Sequence, residues 1–284
     1  MHKYMKHDLS ITLILVFLFL ISHFVGLFII KNYLPTEKSL PLGIQKPEFN
    51  EKTSYIPIFI SIIIATGIAL ILIKFSAFRI WKLWYLLSIF ITLLVAFGAF
   101  IPQIFAVIFA IVFALLKSFK SNFIIHNFTE IFIYGGLAAI FVPVLSLISI
   151  IILLILISIY DIIAVWKTKH MVSLAKFQFK SKLFAGLSIP YSPSGEKVKV
   201  KSKIKSEKSL ERQAILGGGD IAFPLMFSGV MLKNFGFLPA LVTSLTAGIA
   251  LLALFLLAKK KKFYPAMPFI TIGSLAGYFI LLLF

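Results

Sequence analysis

Apolar runs of about 20 residues, each long enough to cross a ~30 Å hydrocarbon core as a helix, recur along nearly the whole of this 284-residue sequence. No soluble fold has interior enough to hide them. The chain is 60% hydrophobic with a mean hydropathy of +1.04, against roughly 45–50% apolar usage in soluble domains. The bilayer is therefore the solvent. Only helices or a closed barrel satisfy the backbone there, and these runs are continuously apolar rather than alternating, so helices follow. The fold class is an all-α polytopic membrane protein.

Single spans are read at Leu9 to Ile30, Tyr55 to Ile73, Gln213 to Leu232, Phe237 to Ala258 and Tyr264 to Phe284. The first is too long for the apolar core of a signal peptide and lacks a small-residue cleavage site, so it is read as a retained span. Leu83 to Leu116 carries no charge over 34 residues. As one helix it would run about 51 Å, so it must fold back, with Pro102 and Gln103 at the turn. Ile131 to Trp166 is also too long and breaks at Pro143. Nine transmembrane helices result. They divide the chain into helices one to six over residues 1–166, a polar segment over 167–212, and helices seven to nine over 213–284. The polar segment holds Pro190, Pro193, Gly195 and a lysine-rich run, and reads as a flexible basic cytoplasmic linker.

The formal net charge of +18 would suggest nucleic acid in a soluble protein, yet the basic residues fall in loops between spans. They report topology, because Lys and Arg accumulate on the cytoplasmic side. One side holds 23 of the basic residues and the other five. Removing the 12 in the segment 167–212 still leaves 11 against five. The expectation is a cell-membrane protein with a cytoplasmic N-terminus and an extracytoplasmic C-terminus, and no nucleic-acid partner. With no cysteine in the chain, thiolate and disulfide chemistry are excluded.

Three aspartates occur, and two of them, Asp161 and Asp220, lie inside apolar spans. An aspartate near a helix centre costs roughly 2.5 to 3.5 kcal/mol on insertion scales, so an intramembrane acid points to function. Asp161 stands six residues before Lys167 and Asp220 eight after Arg212. At helical rise they lie about 9 and 12 Å below the same surface. Gly217, Gly218 and Gly219 precede Asp220, leaving the helix start pliable and open to close approach, each at a cost of about 1 kcal/mol in helix propensity. Pro224 cannot donate to the carbonyl of Asp220. Tyr160 sets a phenol beside Asp161, either as a donor to a substrate carbonyl or as an interfacial anchor. Tyr264-Pro265-Ala266-Met267-Pro268 opens the last span, either as an ordinary helix start or as unpaired backbone lining a cavity.

In these motifs the chain resembles the presenilin and signal peptide peptidase family of intramembrane aspartyl proteases. Tyr160-Asp161 matches the family's Tyr-Asp pair in the sixth helix, and Gly217-Gly218-Gly219-Asp220 its Gly-x-Gly-Asp in the seventh. Pro265-Ala266-Met267 matches its Pro-Ala-Leu at the ninth, with methionine for leucine, a volume-conserving change. A literal Pro239-Ala240-Leu241 opens span eight on the opposite side, away from both acids. The resemblance implies a presenilin-like fold and an aspartic endopeptidase with Asp161 and Asp220 as the catalytic pair. It also implies that an extended substrate strand pairs with backbone near Pro265 to Met267. The inferred orientation is that of presenilin rather than signal peptide peptidase.

Two nearby carboxyls share one proton, so one acts as base toward a water while the other steadies the tetrahedral oxygen. This chemistry requires no metal or cofactor. The expected partners are the lipid bilayer and substrates that are transmembrane proteins or signal peptides. Two other readings stand beside this one: a proton- or cation-coupled transporter or channel using the same carboxylates, and a prepilin-peptidase-like protease. The remaining intramembrane polar residues, His23 and Glu130, read as interhelical or interfacial partners, and Gly135-Gly136 as a close-packing site.

Overall fold

The computed structural model describes residues 9–34, 39–120, 122–168, 170–181, 183–190, 213–258 and 264–283. Ten α-helices and one two-stranded sheet make up its regular structure: α1 (Leu9–Tyr33), α2 (Tyr55–Lys74), α3 (Phe78–Gly98), α4 (Gln103–Phe119), α5 (Phe123–Phe141), α6 (Leu147–Ile162), α7 (His170–Ser181), β1 (Gly186–Pro190), β2 (Gln213–Gly217), α8 (Gly219–Phe235), α9 (Phe237–Leu257) and α10 (Met267–Leu281). Among the described residues, six helical segments are long and apolar enough to cross a membrane, and α4 and α10 are shorter apolar helices.

The breaks have local causes. The chain between α3 and α4 turns at residues 99–102, where Pro102 immediately precedes the new helix. A short 3₁₀ turn, Val142–Val144, with Pro143 inside it separates α5 from α6. Ser146 then caps α6 by accepting from the Ser149 amide. Between α8 and α9 a single residue suffices, because Gly236 adopts φ 93°, a left-handed value that a β-carbon would resist.

Helix α8 is the axis of the bundle. Leu225, Phe227 and Val230 on it are fully buried, and α1, α5, α6, α9 and α10 all pack against it. Close approach to this axis uses small residues. On α1, a β-carbon at Gly26 would fall 2.5 Å from the Leu225 side chain. On α5, one at Gly136 would overlap the Thr92 carbonyl of α3, and one at Gly135 would sit 2.5 Å from Ile29 of α1. The glycine pair therefore does permit close packing. His23 of α1 is buried, its Nδ1 3.0 Å from Ser244 Oγ of α9. Ser244 and Thr243 in turn donate to Ser228 Oγ of α8, at 2.9 and 3.1 Å. His23 is thus an interhelical partner.

Helices α3, α4 and α5 share a second apolar cluster around Leu93, Leu94 and Ala110. By contrast α2 buries only Ile58, Ala69 and Leu72. The C-terminal ends of α5 and α8 are clasped by Lys233, whose Nζ donates to the Pro143 carbonyl at 2.9 Å and pairs with Glu51 at 3.1 Å.

Three expectations are corrected. The stretch 167–212 is not uniformly flexible linker: residues 170–181 form α7, and 186–190 form β1. Helix α7 docks because Phe177 stacks on Phe78 at 4.9 Å and meets Trp81 edge-on. Residues 191–212, including the lysine-rich run, lie outside the described residues. Span seven does not begin at Gln213, since Gln213–Gly217 is extended and pairs antiparallel with β1, Gly186 opposite Gly217. The helical-rise depth of Asp220 therefore does not apply. Finally, Lys117 is not a loop charge. It is 2% exposed and 2.6 Å from Glu130, because Asn122 caps α5 by accepting from the Ile125 amide. That early start carries Glu130 two turns into the helix.

Candidate active site

Asp161 lies in the last turn of α6, 8% exposed. Its Oδ2 accepts a hydrogen bond from the backbone amide of Met267 at 3.1 Å, and the Ala266 amide lies near the same carboxyl. These donors exist because of the local sequence. Pro265 and Pro268 flank Ala266 and Met267, and Met267 begins α10, where amides lack intrahelical acceptors. One turn from Asp161, Ser158 Oγ and Thr271 Oγ1 are 2.8 Å apart, tying α6 to α10 again. Just beyond Asp161 the helix widens into a π-turn, Ile163–Lys167, a form frequent at functional sites.

Asp220 enters from the other direction. Strand β2 ends at Gly217, and α8 begins at Gly219, so Asp220 is in the first helical turn, where the helix dipole favours a carboxylate. It is half-buried, with the Gly217 backbone beside its carboxyl. A β-carbon on residue 217 would stand 3.1 Å from Asp220 Oδ2, and one on residue 218 would stand 3.0 Å from the Tyr134 hydroxyl. Both glycines thus leave room that a side chain would take from the acid or from α5. Gly219 is less constrained, with only its own helix's Phe223 nearby at 3.6 Å. Pro224 stands inside α8 four residues on, so the Asp220 carbonyl has no amide at the usual helical partner.

The two carboxyls are close enough that the charge of Asp161 acts on Asp220. Neither forms an ion pair among the described residues. The fold thus brings Asp161, Asp220 and the Ala266–Met267 backbone together from α6, α8 and the start of α10. Tyr160 is oriented otherwise. Its hydroxyl is 2.9 Å from His170 Nε2, whose Nδ1 meets Thr168 Oγ1 at 2.6 Å, so it anchors α6 to the start of α7. The Pro239-Ala240-Leu241 copy belongs to the first turn of α9, beside Gly236 at the C-terminal end of α8 and so at the opposite end of that helix from Asp220.

Sequence reasoning missed the polar groups that hold this end of α8. Asn127 of α5 bonds both backbone groups of Ser188 in β1, at 2.9 and 3.1 Å. His126 Nε2 lies 2.8 Å from the Gly186 carbonyl, and Tyr134 donates to Glu130. The usable signal was a basic residue ending one apolar helix and an acidic residue inside the next, a pairing expected of charges in lipid.

Comparison with known proteins agrees with this architecture. A family model described as signal-peptide peptidase, presenilin aspartyl protease matches residues 11–284. Among solved structures, a presenilin family intramembrane aspartate protease in space group C222 superposes with a TM-score of 0.65 at 18% identity, covering 95% of this chain and 97% of that one. The structure of such a protease in space group P2 gives a TM-score of 0.62 at 18% identity, with 94% and 96% covered. Comparison with curated proteins finds no significant match. At this identity the solved structures speak for the fold, while the family model spans nearly all of the sequence. It separates proteolysis from the transporter and prepilin-peptidase readings. The chain belongs to the signal-peptide peptidase and presenilin aspartyl protease family, and is a multi-pass intramembrane aspartyl protease.

Proposed function

We propose that Asp161 and Asp220 are the catalytic pair, and that the protein cuts single-span transmembrane segments or signal peptides inside the bilayer. The observation that carries this reading is two intramembrane acids, neither paired with a described cation, with Asp161 held by the Met267 amide and close enough for its charge to act on Asp220. An acid kept in lipid without a counter-ion costs stability, and chemistry is the usual reason for keeping it.

The two carboxyls share a proton. The ionised one takes a proton from a water lying between them as that water's oxygen bonds to the scissile carbonyl carbon. The protonated one donates to the developing oxyanion. Collapse of the tetrahedral species breaks the C–N bond, and a proton passes to the leaving amine. The pair acts as a unit, so the starting proton belongs to both. The Met267 amide fixes Asp161 in place, and the main chain of Pro265 to Met267 serves as a specificity element beside which an unwound substrate strand lies. Gly217, Gly218 and Gly219 keep the approach to Asp220 open.

In this reading nine helices cross the cell membrane, with α7 and the β1–β2 pair at the cytoplasmic end and residues 167–212 joining the two membrane parts there. The N-terminus is cytoplasmic and the C-terminus extracytoplasmic, a reading supported by the excess of loop Lys and Arg on one side, which persists with buried Lys117 set aside. The test is incubation of purified, reconstituted protein with single-span substrates of both orientations, alongside Asp161→Ala and Asp220→Ala. Cleavage that disappears in each variant is expected, and normal turnover by either variant rules out the pair.

A further inference from the structure

One buried polar cluster takes no part in this chemistry, yet it ends on the turn that delivers Asp220. It starts at Lys117 in the last turn of α4. The ammonium donates to Glu130 Oε1 at 2.6 Å, to Thr129 Oγ1 at 3.1 Å and to the His126 carbonyl at 3.3 Å. The second carboxylate oxygen of Glu130 accepts from the hydroxyl of Tyr134, one turn further along α5. That hydroxyl and its ring edge lie against Gly218, where an added β-carbon would meet Oη at 3.0 Å and Cε1 at 3.1 Å. The same helix face grips β1 through Asn127 and Ser188, and β1 is paired with β2. Helix α5 therefore holds both the strand that leads into the glycine turn and the turn itself.

Three consecutive glycines make residues 217–219 the most pliable part of the α8 entry. Their own backbone supplies little to fix where Asp220 points. Packing alone could stabilise this end of the bundle, since a buried ion pair is often no more stabilising than apolar side chains of similar volume. A fully bonded polar chain adds direction, because each member holds the next in one rotamer.

We propose that Tyr134 is a positioning residue for Asp220: its hydroxyl, fixed by Glu130 and Lys117, sets the place of the Gly217–Gly219 turn from which the Asp220 carboxyl meets Asp161. This rests on the reading of the two aspartates as the catalytic pair. Tyr134 touches no substrate and transfers no proton; it acts through Gly218.

The test uses the full chain in vesicles with a single-span reporter, and active sites are counted with a hydroxyl-bearing peptide transition-state mimic. Tyr134→Phe keeps the ring against Gly218 and removes only the anchored hydroxyl. Its kcat per active site is expected to fall about tenfold or more, as sub-ångström displacement of a reacting group can do, with KM and the thermal midpoint little changed. The paired replacement Lys117→Met with Glu130→Met removes the anchor without leaving a buried charge alone. It is expected to lower kcat similarly while retaining the fold. A kcat within twofold of wild type in Tyr134→Phe overturns the proposal. Should Tyr134→Phe fail to fold, wild-type turnover by the paired variant does so instead. Failure of the two-aspartate reading looks different: Asp161→Ala or Asp220→Ala would then cleave like the wild type.

Discussion

Glu130 and the two aspartates are intramembrane acids, but their surroundings are opposite. Glu130 has a lysine at 2.6 Å and a tyrosine on its other oxygen, so its charge is neutralised and both oxygens are occupied. Asp161 has a backbone amide at 3.1 Å, Asp220 has the Gly217 backbone beside it and feels the Asp161 charge, and neither has a described cation. An acid locked to a cation can fix geometry but cannot exchange its proton at little cost. An acid without a paired cation keeps a proton available for transfer. The contrast is what the proposed catalytic role of the two aspartates calls for, without reference to motifs.

Replacing the aspartates should give the largest effect on rate and almost none on stability. Asp161→Asn and Asp220→Asn each lose the base or the acid, and turnover should fall by at least about 10³-fold. The thermal midpoint should hold or rise, because an uncompensated acid leaves an apolar site. Product release from a labelled single-span reporter, read beside a thermal melt in detergent, checks both halves. A variant that melts far below the wild type would place the aspartates with Glu130 as structural acids.

Lys117→Met should reverse that pattern. It strands Glu130 as a buried, unpaired charge, costing about 3–5 kcal/mol, so the protein should melt early, while surviving molecules still cleave, more slowly because Tyr134 loses part of its anchor. Denaturant or thermal unfolding in a fixed detergent measures the loss. A Lys117→Met protein as stable as the wild type would show that Glu130 can neutralise itself and would erase the distinction.

This contrast was only half legible in the sequence. Asp161 and Asp220 stood out because the apolar residues around them are unbroken, and Pro102 and Pro143 marked the breaks that covalent geometry imposes. Glu130 was legible only as an interhelical or interfacial partner and Lys117 only as a loop charge, since each sits near an apparent span end, where a charge is cheap. Only the Asn122 cap, which starts α5 at Phe123, moves Glu130 inward. The β1–β2 pair was hidden for a different reason. Leu187 and Ile189, or Ala214 and Leu216, are too short an alternation to reveal a strand, and their partners lie beyond 20 residues away in sequence. Pairing of that kind is decided by tertiary context rather than local propensity.

Packing of the small residues tests the frame that holds both kinds of acid. Gly136→Ala would push a methyl group into the Thr92 carbonyl, which belongs to helix backbone and cannot rotate away. Separating α3 from α5 should cost about 1–3 kcal/mol, seen as a lower unfolding midpoint. Because α5 carries Glu130, Tyr134 and Asn127, kcat should fall more in this variant than in a lipid-facing control such as Ile148→Ala, where the side chain is 67% exposed.

The smallest effect should come from Met267→Leu, although Met267 touches Asp161 directly. The contact is made by the main-chain amide, which leucine also supplies. The side chain is 2% exposed, and an exchange of similar volume in a packed site costs less than about 1.5 kcal/mol. Cleavage rates should therefore stay within about threefold of wild type, with any difference falling on KM, because the segment is proposed to line the substrate strand. Initial rates over a range of reporter concentrations separate the two constants. A large loss in kcat would mean that the side chain itself shapes the catalytic pair, and that the amide-held acid depends on packing as closely as the lysine-held one does.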